Sequence, residues 1–145
     1  GEYTSITYDE MGSIVRNLAA GFDELGVEKG DRVGIFSHTR MEWAQTDFAL
    51  LSLGAVVTTV YASSSPKQVE YLLGDSGSTG VVVENDQLLQ RVLDVEDQLN
   101  LDFVVSFDNT DVERDFVYSL HDIHQLGSQK IENGEFSESD LKDRI

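Results

Sequence analysis

The sequence predicts an α/β protein, a parallel sheet of about four to five strands with helices on both faces. Three observations carry this. Short apolar runs rich in β-branched residues alternate with longer stretches of helical period. Most helical stretches open on a capping or proline signal and close on glycine. Four strand-like runs are each separated by one helix, which argues for a parallel sheet with right-handed crossovers.

The first helix starts at a capping box, Thr7 to Glu10, in which threonine accepts an orphan amide and glutamate reaches back. Met11, Ile14, Val15, Leu18, Ala19, Phe22 and Leu25 then recur on one face, and Gly26 supplies the stop. Lys29-Gly30-Asp31 turns into a buried strand, Arg32 to Phe36. A second capping box, Thr39 to Glu42, opens a helix that runs to about Leu53 and carries Trp43 and Phe48 toward the core. Gly54 ends it, and Val56 to Val60 is β-branched enough to be a core strand. Ser65-Pro66-Lys67-Gln68 starts a helix reaching about Gly74, with proline where its missing N–H is harmless. A strand follows at Gly80 to Glu84, then a helix at Asp86 to Leu99 and a strand at Asp102 to Phe107. Ser119 to Leu126 reads as a short helix. Residues 1–127 therefore form one α/β unit, and 128–145 read as a polar linker.

The chain has 145 residues, 27 acidic against 10 basic, for a net charge of −17. Nucleic-acid binding runs on lysine and arginine displacing counterions, so this surface argues against nucleic acid and against anionic membranes. Only four of the ten basic residues are lysine (Lys29, Lys67, Lys130, Lys142), which fits a surface adapted to a salt-rich cytoplasm. With no cysteine, disulfides and thiolate chemistry are out. Phe48 to Pro66 has no formal charge for 19 residues, but only 11 of them are apolar, so it divides into helix end, turn and strand rather than a membrane span. A cytoplasmic location is expected.

One stretch, Asp75 to Glu84, resembles a phosphate loop: DSGSTGVVVE. Phosphate loops leave a strand and enter a helix, whose amino end and a lysine face the anion. Here SGSTG leaves a helix and enters a strand, with no lysine after it and acids at both ends, which makes it a structural turn. The glycines at 74, 77 and 80 read as helix-stop and turn positions. His121 and His124, three apart, lack an identifiable third metal ligand, so no metal site is assigned. Ser37-His38 lacks a nucleophile elbow. In open parallel sheets ligands gather beyond the carboxyl ends of the strands, which leaves His38, Arg40 and Tyr61 as pocket-rim candidates. A stand-alone receiver-like α/β signalling or binding module is the alternative reading.

The stretch from ITYDEM through LGVEKGDRVGIFS, the R-x-E-W start at Arg40 to Trp43, LSLGAVV followed by VY, and SPKQVEYLL then DS resembles the N-terminal part of AMP-forming acyl-CoA synthetases. These belong to the adenylate-forming superfamily, and the likeness is greatest to the long-chain fatty acid CoA ligases. It covers residues 6 to about 107. The resemblance implies a parent enzyme that uses ATP with Mg to join a fatty acid to AMP, then passes the acyl group to coenzyme A. The family's phosphate loop, aromatic-Gly-x-Thr-Glu motif, adenosine-binding aspartate and catalytic lysine have no counterpart in this sequence. The chain is therefore expected to be an inactive N-terminal fragment, with no catalytic residue and no cofactor of its own. Its partner is the remainder of the parent enzyme, and apolar surface meant for that remainder allows a homo-oligomer.

Overall fold

The computed structural model describes residues 8–137. The elements are α1 (Tyr8–Glu24), β1 (Arg32–Phe36), α2 (Met41–Ser52), β2 (Val56–Val60), α3 (Pro66–Ser76), β3 (Gly80–Val83), α4 (Asp86–Leu93), a 3₁₀ turn (Glu96–Gln98), β4 (Phe103–Ser106), β5 (Val117–Ser119) and α5 (Leu120–Glu132). All strand pairs are parallel, in the order β2-β1-β3-β4-β5. The first crossover places β2 outside β1, and the next carries the chain back across β1 to β3. Strand direction of growth reverses there, so β1 and β3 flank the topological switch point.

Strand alternation divides the core in two. Val33, Ile35, Val82, Phe103 and Val105 point to the side covered by α1, α2 and α5. Phe36, Val60, Val81, Val83 and Val104 point to the side covered by α3 and α4. Helices therefore lie on both faces, as the sequence predicts. The closest helix pair is α1 with α5, where Gly21 and Gly127 let the two backbones meet. A methyl group on Gly127 would collide with the Asn17 carbonyl, and one on Gly21 with the Ile123 carbonyl.

Several elements differ from expectation. The Thr7 box lies outside the described residues. At α2 no box forms: Arg40 is the N-cap without a side-chain cap, and its own guanidinium takes the Glu42 carboxylate at 2.8 Å. Ser65 and Gln68 do make the expected reciprocal box at α3. β2 is an edge strand and half-exposed rather than core, since β-branched character marks a strand but not its place in the sheet. Phe48 is 55% exposed, while Trp43 packs partly buried against the core. α4 stops at Leu93 because the positions that would next extend its buried face are Val95 and Glu96, and an acid cannot continue an apolar stripe. β5 was not anticipated. α5 runs on to Glu132, with Gly127 buried inside it and Phe136 buried beyond it, so the part of the anticipated linker nearest the fold is structured. No helix among the described residues is long and apolar enough to cross a membrane.

Candidate functional site at the switch point

The loops leaving β1 and β3 meet at the switch point, and they bring His38, Arg40 and Glu84 together. Glu84 follows β3 directly and donates its own amide to Phe36 at the end of β1, 3.1 Å away. One carboxylate oxygen accepts from the His38 amide at 2.9 Å and lies 2.7 Å from His38 Nδ1. The other faces Arg40 Nη1 at 3.6 Å. Arg40 also pairs with Glu42 and, at 3.3 Å, with Asp108 just beyond β4. Its guanidinium lies 5.7 Å from the centre of the Phe107 ring, the geometry of a cation–π contact. One side chain thus ties the carboxyl ends of three neighbouring strands.

The electrostatics follow from this. Burial pushes the Glu84 carboxyl up, but the His38 amide and imidazole, then Arg40, outweigh it and hold Glu84 below the ordinary carboxylate range. The bond to Glu42, opposed by burial, keeps the Arg40 guanidinium protonated beyond its usual value. His38 itself is largely exposed, with its side chain 77% accessible, so its imidazole reaches solvent while Nδ1 is held. Such an arrangement can present a directed imidazole and a fixed carboxylate to a cleft. By itself it has neither an activated nucleophile nor a cradle of free amides.

Tyr61 is not part of this group. It is 75% exposed and borders a separate groove with Ser64, Lys67, Gln68, Tyr71 and Leu72. Arg91 of α4 shapes that loop by donating to the carbonyls of Ala62 and Ser64 at 2.9 and 3.1 Å. Sequence reasoning singled out neither Arg91 nor the pairing of Arg40 with Glu84 and Asp108, because each is a contact between residues far apart in the chain.

The SGSTG segment sits at the amino end of the central strand β3, the opposite end of the strands from His38 and Arg40. Gly77 is the left-handed C-cap of α3, at φ 68°. The Gly77 amide donates to Gly74 and Leu73, the Ser78 amide to Leu73, and the Thr79 amide to Arg32. Three amides that an anion would need are engaged, and they lie at the negative end of a helix dipole. The turn reading therefore holds for Gly77. Gly74 lies within α3, though, and Gly80 opens β3 under the Phe103 ring, so neither is a stop or a turn. The described residues contain no group of three or more His, Asp or Glu placed to hold a metal ion.

This architecture is that of the adenylate-forming ligases, and the chain belongs to the AMP-binding enzyme family, whose model matches residues 1–136. Among its relatives, the long-chain-fatty-acid–CoA ligase FadD15 of Mycobacterium bovis is 45% identical over 86 residues, 59% of this chain and 14% of that protein. Fatty acyl-CoA synthetase A of Dictyostelium discoideum is 28% identical over 138 residues, 89% of this chain and 20% of its own length. In fold, the chain resembles the crystal structure of a long-chain-fatty-acid-CoA ligase (FadD1) from Archaeoglobus fulgidus, with a TM-score of 0.75 at 24% identity over 89% of this chain and 25% of that one. Coronafacic acid ligase from Pectobacterium brasiliense superposes with a TM-score of 0.77 at 20% identity, over 84% and 25% of the two chains. The chain thus spans about a fifth or less of the curated relatives it matches.

Proposed function

We propose that the chain is the N-terminal α/β portion of an ATP-dependent long-chain fatty acid CoA ligase. The parent would activate the fatty acid as an acyl-adenylate, with Mg on the phosphates, then transfer the acyl group to coenzyme A. The observation that carries this reading is the 45% identity to FadD15, which is named for that activity. The chain's own part is scaffold: its sheet and helices pack against the nucleotide-binding remainder, with His38 and Arg40 at the rim of the cleft and Tyr61 bordering the loop beside it. Adenylation depends on positioning and charge stabilisation, so this portion alone is inactive. The stretch after α5 leads toward the catalytic part. A polypeptide joining this chain to its catalytic remainder should exchange pyrophosphate into ATP when given palmitate. Exchange that is indifferent to any fatty acid would sink the reading.

The acidic surface supports a cytoplasmic protein of a salt-rich cell. At −17, screening should relieve self-repulsion. The thermal midpoint of the chain is expected to rise steeply as KCl goes from about 0.1 M, where the screening length is roughly 10 Å, to about 1 M, where it is roughly 3 Å. A midpoint that stays level across that range contradicts the adaptation. Self-association through the apolar residues exposed around α2 and β2, among them Phe48 and Val56, is part of the same reading for the isolated chain.

A further inference from the structure

The exposed apolar residues of this chain gather at one edge. Met41, Phe48 and Leu51 on α2, Val56 on β2, Tyr61 just after it and Tyr71 on α3 are the large hydrophobics that stand about half-exposed or more among the described residues. β2 is the edge strand between those helices, with α2 on one face of the sheet and α3 on the other. Edge strands are ordinarily blunted by charge, proline or brevity. The other edge, β5, has only three residues, whereas β2 has five, none charged and none proline. No formal charge occurs from Phe48 to Pro66, in a chain of net charge −17.

The open edge has a defined hydrogen-bonding face. The Val56 amide donates inward to Asp31 at 2.7 Å, and β2 runs in parallel register with β1 from Val56 to Val60. Amide and carbonyl directions alternate along a strand, so Val56, Thr58 and Val60 bond β1, while Val57 and Thr59 turn theirs outward. Among the described residues nothing bonds those outward groups. To either side the backbone is engaged: the Ala55 amide donates to Leu50, and the Tyr61 carbonyl accepts from the Ser64 amide.

We propose that the occupant of this edge is a second copy of the chain, the two β2 strands pairing antiparallel about a twofold axis at Thr58. In that register Val57 of each copy faces Thr59 of the other, so four backbone hydrogen bonds form and every outward group is used. Sliding by two residues would call on the Ala55 amide or the Tyr61 carbonyl, which are taken. The twofold closes the open edge and stops growth at two chains. Exposed apolar side chains of α2 and α3 flank the joint on its two faces. Charge selects the copy over a foreign partner. An uncharged strand is what a strongly acidic chain can press against itself without setting like charges opposite each other, and it offers a basic partner no acid. The pairing rests on the self-association proposed above and gives it a geometry.

Analytical ultracentrifugation of the chain up to millimolar concentration should show monomer and dimer and nothing larger. Dimerisation should be about tenfold tighter at about 1 M KCl than at about 0.1 M, because screening relieves the repulsion between two chains of −17. Thr59→Pro removes an outward donor and leaves the β1 ladder whole, so the dimer should weaken about thirtyfold, the loss of two hydrogen bonds across the twofold. The chain has no cysteine, so Thr58→Cys places a single thiol opposite its own copy, within disulfide reach for a non-hydrogen-bonded antiparallel pair. Under one oxidant it should form a covalent dimer about tenfold faster or more than Lys29→Cys, exposed in the turn before β1. If Thr59→Pro loses the native circular-dichroism spectrum, the cross-linking rates decide alone. A chain that stays monomeric overturns the pairing together with the self-association behind it. A dimer that salt loosens, one that a folded Thr59→Pro leaves intact, or a Thr58→Cys that links no faster than Lys29→Cys overturns the pairing and leaves self-association standing. The ligase reading fails separately, on pyrophosphate exchange.

Discussion

Gly127→Val should destabilise the chain by about 3 kcal/mol or more and separate α5 from α1. The expectation is not obvious, because Gly127 lies inside a helix, where replacing glycine by a better helix former ordinarily gains up to about 1 kcal/mol. Packing decides the sign. The first carbon of any side chain at 127 would meet the Asn17 carbonyl and the Gly21 amide, and backbone atoms cannot swing aside as a side-chain tip can. The helices must move apart, which uncovers Leu18, Phe22 and Ile123, all fully buried now. Gly12 is the control. It is exposed on α1 with nothing near the position of a new methyl group, so Gly12→Ala should stabilise by up to about 1 kcal/mol. Urea denaturation of both variants measures the contrast, and a Gly127→Val midpoint at or above that of the parent would show that the α1–α5 contact is looser than described.

Arg40→Ala is expected to cost about 2 kcal/mol. Exposed ion pairs give roughly 0.2–1 kcal/mol each, but Arg40 meets three carboxylates and an aromatic face at once, and its loss leaves Glu84, only 16% exposed, without its cation. The effect should depend on pH. Glu84 titrates below its ordinary value of 4.5 in the folded chain, so the stability it contributes is fully present above about pH 4.5 and is lost as pH falls through the folded value. The gap in urea midpoint between the parent and Arg40→Ala should therefore be widest near neutrality and narrow below pH 4.5. A gap that is constant with pH would mean that Arg40 acts through packing on Phe107 alone.

Three glycines show where the sequence could be read and where it could not. Gly26 and Gly77 act locally, ending helices in the left-handed region at φ 98° and 68°, and local pattern was enough to foresee them. Gly127 looks the same in sequence but serves a contact with α1 more than a hundred residues earlier, and local pattern, which ends the α/β unit at this residue, does not show that α5 continues through it. The same divide runs through the strands. β1, β3 and β4 are apolar on both faces and were legible, whereas β5 has three residues, two of them half-buried, and offers too short a run to stand out. At the switch point, the rule that ligands gather at the carboxyl ends of strands located His38 and Arg40. It could not supply their partners, because Glu84 and Asp108 arrive on other strands and nothing in their local sequence distinguishes them among 27 acids.

The scaffold role proposed for the chain depends on the SGSTG turn having no free amides to offer an anion. Calorimetric titration of MgATP into the chain tests this most directly. No saturable heat is expected up to millimolar nucleotide. Saturable binding that is lost in Ser76→Ala or Ser78→Ala would contradict the account, since those hydroxyls now lie 2.7 Å apart and bond each other.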